Sequence, residues 1–142
     1  MEEQSAWKKI HNSHVVRVTY RDTDQMGFVY YANYLVWFEI GRTELMRHSG
    51  RTYRQFEESG VILPVVHASC NYKKPARYDD LIRIETVISA LSRVSVTFSY
   101  RIFNEENNQL LADGETRHAM IDRRGKIVPA GEKLKKWLES NS

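Results

Sequence analysis

The chain carries a single cysteine, Cys70. That excludes an internal disulfide and any cysteine-rich zinc site. No apolar run approaches the length of a membrane span. The first residues, MEEQSAWKKIHNSH, are acidic and then basic and hold no apolar core, so no secretory signal is expected. A cytoplasmic protein is the expectation. No internal repeat, low-complexity segment or linker divides the sequence, and 142 residues fit one domain spanning 1–142. The five histidines, His11, His14, His48, His67 and His118, lack metal-ligand spacing, so no metal is expected. No serine sits in a nucleophile elbow. No glycine-flanked aromatic motif, helix-turn-helix signature or finger spacing speaks for nucleic acid.

What is present is enough for a core. Hydrophobic residues make up 42% and aromatics 11%, too much for disorder. The net charge is +3, with small basic clusters at Lys8 and Lys9, Lys73 and Lys74, Arg123 and Arg124, and Lys133–Lys136. Such clusters are either solvated surface or an electrostatic pull on a polyanionic partner.

Alternation predicts a strand over 14–20, with Val16, Val18 and Tyr20 on one face. Residues 33–49 predict the main helix, with Asn33 as N-cap and Gly50 as the left-handed residue beyond its end. Tyr34, Trp37, Phe38, Gly41 and Leu45 form its stripe. Leu35, Val36, Ile40 and Met46 spread apolarity further, so the helix is expected to be buried on several sides. Gly41 costs helix propensity and reads as a point of close packing. A short polar helix is expected over 51–59. Strands follow over 62–74, 81–89, 93–103 and 109–121, the last two joined by a turn at 104–108. Successive antiparallel strands would make one sheet. Leu134, Trp137 and Leu138 predict a docking helix near 130–139. The class is α+β, a curved antiparallel sheet wrapped around one long central helix.

Just before that helix the chain reads RDTDQMGFVYYANY, with Asp22 and Asp24 one residue apart. Taken alone, such acids are turn-forming or capping residues, or a catalytic carboxylate. Residues 22–34 resemble the loop of the 4-hydroxybenzoyl-CoA thioesterase family, whose pattern is roughly D-x-D-x-x-G-x-V-x-[YHF]-x-x-Y. Asp22, Asp24, Gly27, Val29, Tyr31 and Tyr34 fill it. FEIGRTELM at 38–46 is similar to the Tol–Pal-associated branch. LPVVHAS at 63–69 and KPARYDD at 74–80 are similar to 1,4-dihydroxy-2-naphthoyl-CoA thioesterases. The resemblance covers about 14–122.

The resemblance implies a hot-dog fold, dimers or tetramers with shared active sites, and hydrolysis of an acyl- or aryl-CoA thioester without a cofactor. It places the nucleophile or general base on Asp24 and a structural role on Asp22. It makes the backbone N–H of Tyr31 the group that polarises the thioester carbonyl, as a helix start suits an anion. Many relatives have His at that position, where this chain has Tyr. Gly27 would let the loop approach closely, and Met26, Phe28 and Val29 would line the acyl channel. Glu39 either meets a hydroxyl of the acyl group or is a buried acid paired with Arg42 or another cation. His67 lines the pocket or is a hydrogen-bonded strand residue. Lys73, Lys74, Arg77 and Arg93 are candidates for the CoA phosphates. The rival within the fold is a non-catalytic acyl-CoA-binding or regulatory protein.

Overall fold

A computed structural model describes residues 6–50 and 52–139. Residues 1–5 of the stretch read for a secretory signal, and Arg51 of the expected 51–59 helix, lie outside them. Five strands form one antiparallel sheet: β1 (His11–Arg17), β2 (Val65–Tyr72), β3 (Leu81–Leu91), β4 (Ser95–Asn104) and β5 (Leu110–Ala119). Their spatial order is β1-β3-β4-β5-β2. Strands β1, β3 and β4 alternate because one face is covered and the other is wet, whereas edge strand β2 is exposed or half-exposed along its length. Ile82, Ile84, Thr86 and Ile88 of β3 and Val96, Phe98, Tyr100 and Ile102 of β4 all point inward and are buried. A register shift between Ile88 and Ala90 interrupts the β3–β4 ladder, which increases local bend and twist.

Helix α1 (Asn33–His48) lies on the inner face. Tyr34, Trp37, Phe38, Gly41 and Leu45 are buried, as their spacing predicts. Phe38 stacks on Tyr100, ring centroids 4.2 Å apart and planes 5° from parallel. At Gly41 the helix touches the sheet so closely that a Cβ would lie 2.8 Å from Ile84 Cγ2. Helix α2 (Tyr53–Glu58) begins at a capping box between Thr52 and Gln55 and buries Phe56. Helix α3 (Gly131–Glu139) docks through Leu134 and Leu138, with Trp137 edge-on to Phe56 at 4.8 Å.

Several expectations need correction. The first strand is His11–Arg17 rather than 14–20, and Tyr20 is exposed in a short 3-10 turn, Tyr20–Asp22. Sequential pairing holds for β3, β4 and β5 only. β2 lies at the far edge beside β5, and the segment after it crosses to start β3 beside the end of β1. Asn33 is the first residue of α1 and not its cap. Ala32 is already helical in backbone conformation, and the Asn33 side chain donates instead to the carbonyl of Asp22 at 2.8 Å. Leu35 and Val36 remain 42% and 49% exposed. One sheet covers one side of a helix, so within a single chain α1 is not buried on several sides. β4 starts at Ser95, which leaves Arg93 and Val94 ahead of it. The sequence also gave no warning of the 3-10 turn Ala6–Lys9, which buries Trp7.

The outer face of the sheet is polar. Arg83 pairs with Glu85 at 2.8 Å and Glu105 at 2.6 Å, and Arg101 with Glu85 at 3.4 Å. Among the described residues no helix is long and apolar enough to cross a membrane.

Candidate functional site

The loop between β1 and α1 folds back on itself. Thr23 and Val29 pair as an antiparallel bridge, and Asp24 N–H donates to Phe28 O at 2.7 Å. The reversal passes through Gly27 at φ +84°, a conformation that costs glycine least. Phe28 pairs with Arg77 and the Val29 N–H donates to Ala76 O at 2.8 Å, so the 75–77 segment clamps the loop. Tyr34 completes the clamp, its hydroxyl accepting the Ala76 N–H at 3.2 Å.

The two acids of the loop have different partners. Asp22 Oδ2 accepts from the Thr19 N–H at 2.9 Å and the Thr19 hydroxyl at 2.8 Å. Asp24 Oδ1 accepts from the N–H groups of Met26 at 2.8 Å and Phe28 at 3.2 Å. Asp24 Oδ2 has no hydrogen-bond partner among the described residues. One oxygen therefore fixes the carboxylate and the other remains available.

Asp24 borders a cleft of about 350 Å³. Met26, Phe28, Val29, Tyr31 and Tyr34 form one wall, and Tyr72 with Lys73, Lys74 and Pro75 forms the other. The Tyr31 N–H, just before the helix, donates to no acceptor among the described residues. Asp24 and Tyr31, one with a carboxylate oxygen and the other with a backbone N–H that have no partner among the described residues, thus line one cleft together with Lys73 and Lys74. A larger hollow of about 800 Å³ lies on the outer sheet face near Lys8, Lys9, Glu85 and Arg101. It includes neither the loop nor the start of α1, so volume alone does not locate the chemistry.

The other candidates are dispersed. Arg77 is exposed beside the cleft, its guanidinium 4.8 Å from the centre of the Phe28 ring. Glu39 is exposed on α1 and His67 is exposed on edge strand β2; neither lines the cleft. The alternative of a buried Glu39 is therefore wrong for the single chain. Arg93 lines a separate hollow with Trp7 and Lys135. Cys70 is half-buried, and burial pushes its thiol up from the usual value, away from a thiolate. Among the described residues no three His, Cys, Asp or Glu side chains converge to hold a metal ion.

Two features escaped the sequence reading. Tyr72 is a cleft wall, legible in the sequence only as one of a row of residues sharing a face of the 62–74 strand. His118 is 1% exposed inside a polar chain on the inner sheet face. Its Nδ1 meets Leu63 O at 2.9 Å, its Nε2 meets Thr116 Oγ1 at 2.8 Å, and Thr116 Oγ1 meets the Tyr100 hydroxyl at 2.6 Å. A carbonyl can only accept, so Nδ1 carries the proton and Nε2 accepts from Thr116. Burial lowers the His118 pKa to about 4, the charge of Arg42 acting in the same direction.

A model of the thioesterase-like superfamily matches residues 18–138. The acyl-CoA thioester hydrolase YbgC of Escherichia coli O6:H1 is 37% identical over 107 residues, 75% of this chain and 79% of that protein. The 1,4-dihydroxy-2-naphthoyl-CoA hydrolase of Synechococcus elongatus is 30% identical over 125 residues, 86% of this chain and 90% of that one. Among solved structures, the DHNA-CoA thioesterase of Staphylococcus aureus superposes with a TM-score of 0.84 at 30% identity, covering 92% of this chain and 87% of that one. A helix laid on a curved five-stranded antiparallel sheet, a matching loop and this extent of similarity lead to one assignment: the chain belongs to the thioesterase-like superfamily, with the hot-dog fold.

Proposed function

We propose that this protein hydrolyses an acyl-CoA thioester to the free acid and CoA, with Asp24 as the attacking or base-forming group. The observation that carries the reading is the split role of its carboxylate: Oδ1 is held by two backbone N–H groups while Oδ2 has no partner among the described residues, and Tyr31 lines the same cleft. The acyl carbon is attacked either by Asp24, giving a mixed anhydride that water then hydrolyses to the free acid and the aspartate, or directly by a water that Asp24 deprotonates. The Tyr31 N–H stabilises the oxyanion as the C–S bond breaks, and CoA leaves as a thiolate that takes up a proton. Lys73 and Lys74 at the rim, and Arg77 beside it, offer cations to the phosphates of CoA. The reaction needs no metal or organic cofactor. A lone cysteine accords with a reducing, cytoplasmic setting.

The site is shared between two copies in this reading. β2 is an edge strand with unpaired backbone groups, and Val65 and Val66 on it are 45% and 55% exposed. Edges of this kind invite a second copy. Leu35 and Val36 on α1 would be covered there, and Glu39 and His67 would enter a completed pocket. A dimer is the minimum unit and a tetramer the fuller assembly, with any contact through the outer sheet face partly polar.

A non-catalytic acyl-CoA-binding role is the second reading. The two N–H bonds to Asp24 Oδ1 favour it, because a turn-forming aspartate makes the same bonds. Hydrolysis measured by thiol release over a panel of aliphatic and aryl-CoA thioesters decides between them. Turnover of at least one member is expected; tight binding without thiol release from any of them supports the second reading and defeats the first.

A further inference from the structure

Tyr72 is the last residue of β2, and its side chain reaches the start of α1. Its hydroxyl donates to the carbonyl of Tyr31 at 3.0 Å. Its ring stands edge-on to Tyr31 at 6.3 Å and to Tyr34 at 5.0 Å between centroids. Burial, with a contribution from Cys70, pushes the phenol up to about 12. The group therefore keeps its proton, and stays a donor, across the working pH range.

The backbone it grips opens the helix as a 3-10 turn. The first turn of α1 closes with bonds between residues three apart: Asn33 N–H to Tyr30 O at 2.9 Å, Tyr34 N–H to Tyr31 O at 3.3 Å, and Leu35 N–H to Ala32 O at 3.1 Å. The Tyr31 carbonyl receives the longest of the three, and the Tyr72 hydroxyl supplies its shorter partner. On the loop side, Asp22 O accepts from both the Tyr30 N–H at 2.9 Å and the Asn33 side chain at 2.8 Å. Residue 31 is thus held on both sides while its own N–H has no acceptor among the described residues.

We propose that Tyr72 is a positioning residue: by holding the Tyr31 carbonyl it fixes the backbone so that the Tyr31 N–H stays aimed at the thioester oxygen. The proposal rests on the hydrolytic reading above. A donor that stabilises developing charge works because it is already in place when the charge appears. Loosening the peptide on its C-terminal side lets the N–H wander. It weakens transition-state stabilisation while leaving the contacts that bind CoA intact, so the loss falls on kcat rather than KM.

Tyr72→Phe tests this, since the ring and its edge contacts remain and only the hydroxyl is lost. The expected result is a kcat lower by about 5- to 30-fold with KM within about twofold. A thioether analogue of the substrate, which has no carbonyl to polarise, binds with unchanged Kd. In amide-proton spectra the Tyr31 and Ala32 signals shift and exchange with solvent faster. A variant with wild-type kcat and unmoved amide signals overturns the proposal. So does one whose melting temperature, thioether binding and kcat fall together, because that marks a merely structural role. An inactive wild type would instead sink the hydrolytic reading and the positioning role with it. An active wild type with an indifferent Tyr72→Phe sinks the positioning role alone.

Discussion

Gly41 of α1 stands directly over Ile84 of β3, so close that a methyl group on its Cα would lie 2.8 Å from Ile84 Cγ2. Two effects oppose each other in Gly41→Ala. Helix propensity gains up to about 1 kcal/mol, while overpacking a tight interface costs about 1–3 kcal/mol. The overlap with the Thr86 hydroxyl is closer still, so the second effect is expected to win. Urea titration should show a net loss of about 1–2 kcal/mol with an unchanged slope.

Asp24→Asn separates turn-making from chemistry. The amide oxygen can still accept from the Met26 and Phe28 N–H groups, but the charge is gone. We expect kcat to fall by at least about 100-fold with a melting temperature close to wild type. Asp22→Asn should do the reverse, because Asp22 serves Thr19 and does not line the cleft. Near-normal hydrolysis by Asp24→Asn would remove Asp24 from the mechanism.

His118 makes stability depend on pH. Its pKa is about 4 in the folded protein against roughly 6.5 when unfolded. The unfolded chain therefore binds the proton first as pH falls. The stabilisation is fully present above about pH 6.5 and is lost progressively toward pH 4, by on the order of 3 kcal/mol in total. His118→Gln should flatten this acid limb. Denaturation midpoints measured from pH 7 to 4 that decline equally in both proteins would assign the loss to other groups.

Glu39 is exposed and outside the Asp24 cleft in the single chain, so a role at that cleft would require a second copy. If it meets a hydroxyl of the acyl group, Glu39→Gln should slow hydroxyaryl-CoA more than short aliphatic acyl-CoA. Equal losses on the two classes would speak for a structural role.

A shared site also predicts complementation. Asp24→Asn and Glu39→Ala chains, each weak on hydroxyaryl-CoA, should regain activity when allowed to exchange subunits. Random dimers with one intact site would approach about a quarter of wild-type activity. No recovery despite demonstrated exchange, or an active monomer in sedimentation, would mean each site is built within one chain.

Much of this was legible along the chain because it depends on local spacing. The α1 stripe from Tyr34 to Leu45 and the inward rows of β3 and β4 follow from periodicities of about 3.6 and 2, which the backbone imposes on any sequence. Gly41 announced a close approach because glycine in a helix is otherwise a cost. The turn at 104–108 and the helix over Gly131–Glu139 followed from composition and pattern in the same way. The loop pattern from Asp22 to Tyr34 named the family before any coordinate was known.

What the sequence could not show depends on which segments meet. Alternation says that β2 is a strand but not that it lies beside β5, because pairing partners are chosen by the whole sheet. The exposure of Leu35 and Val36 was hidden for the same reason: composition records apolarity, not what covers it. Asp22 and Asp24 already differ in contacts within four residues, Thr19 for one and the N–H groups of Met26 and Phe28 for the other, but the cleft that Asp24 borders exists only because residues 72–75 close its far side. Tyr72 and Tyr31 are 41 residues apart, and a hydrogen bond between them exists only because the sheet edge carries one to the helix start that holds the other. Spacing decided the elements, and the closing of distant backbone onto the loop decided the site.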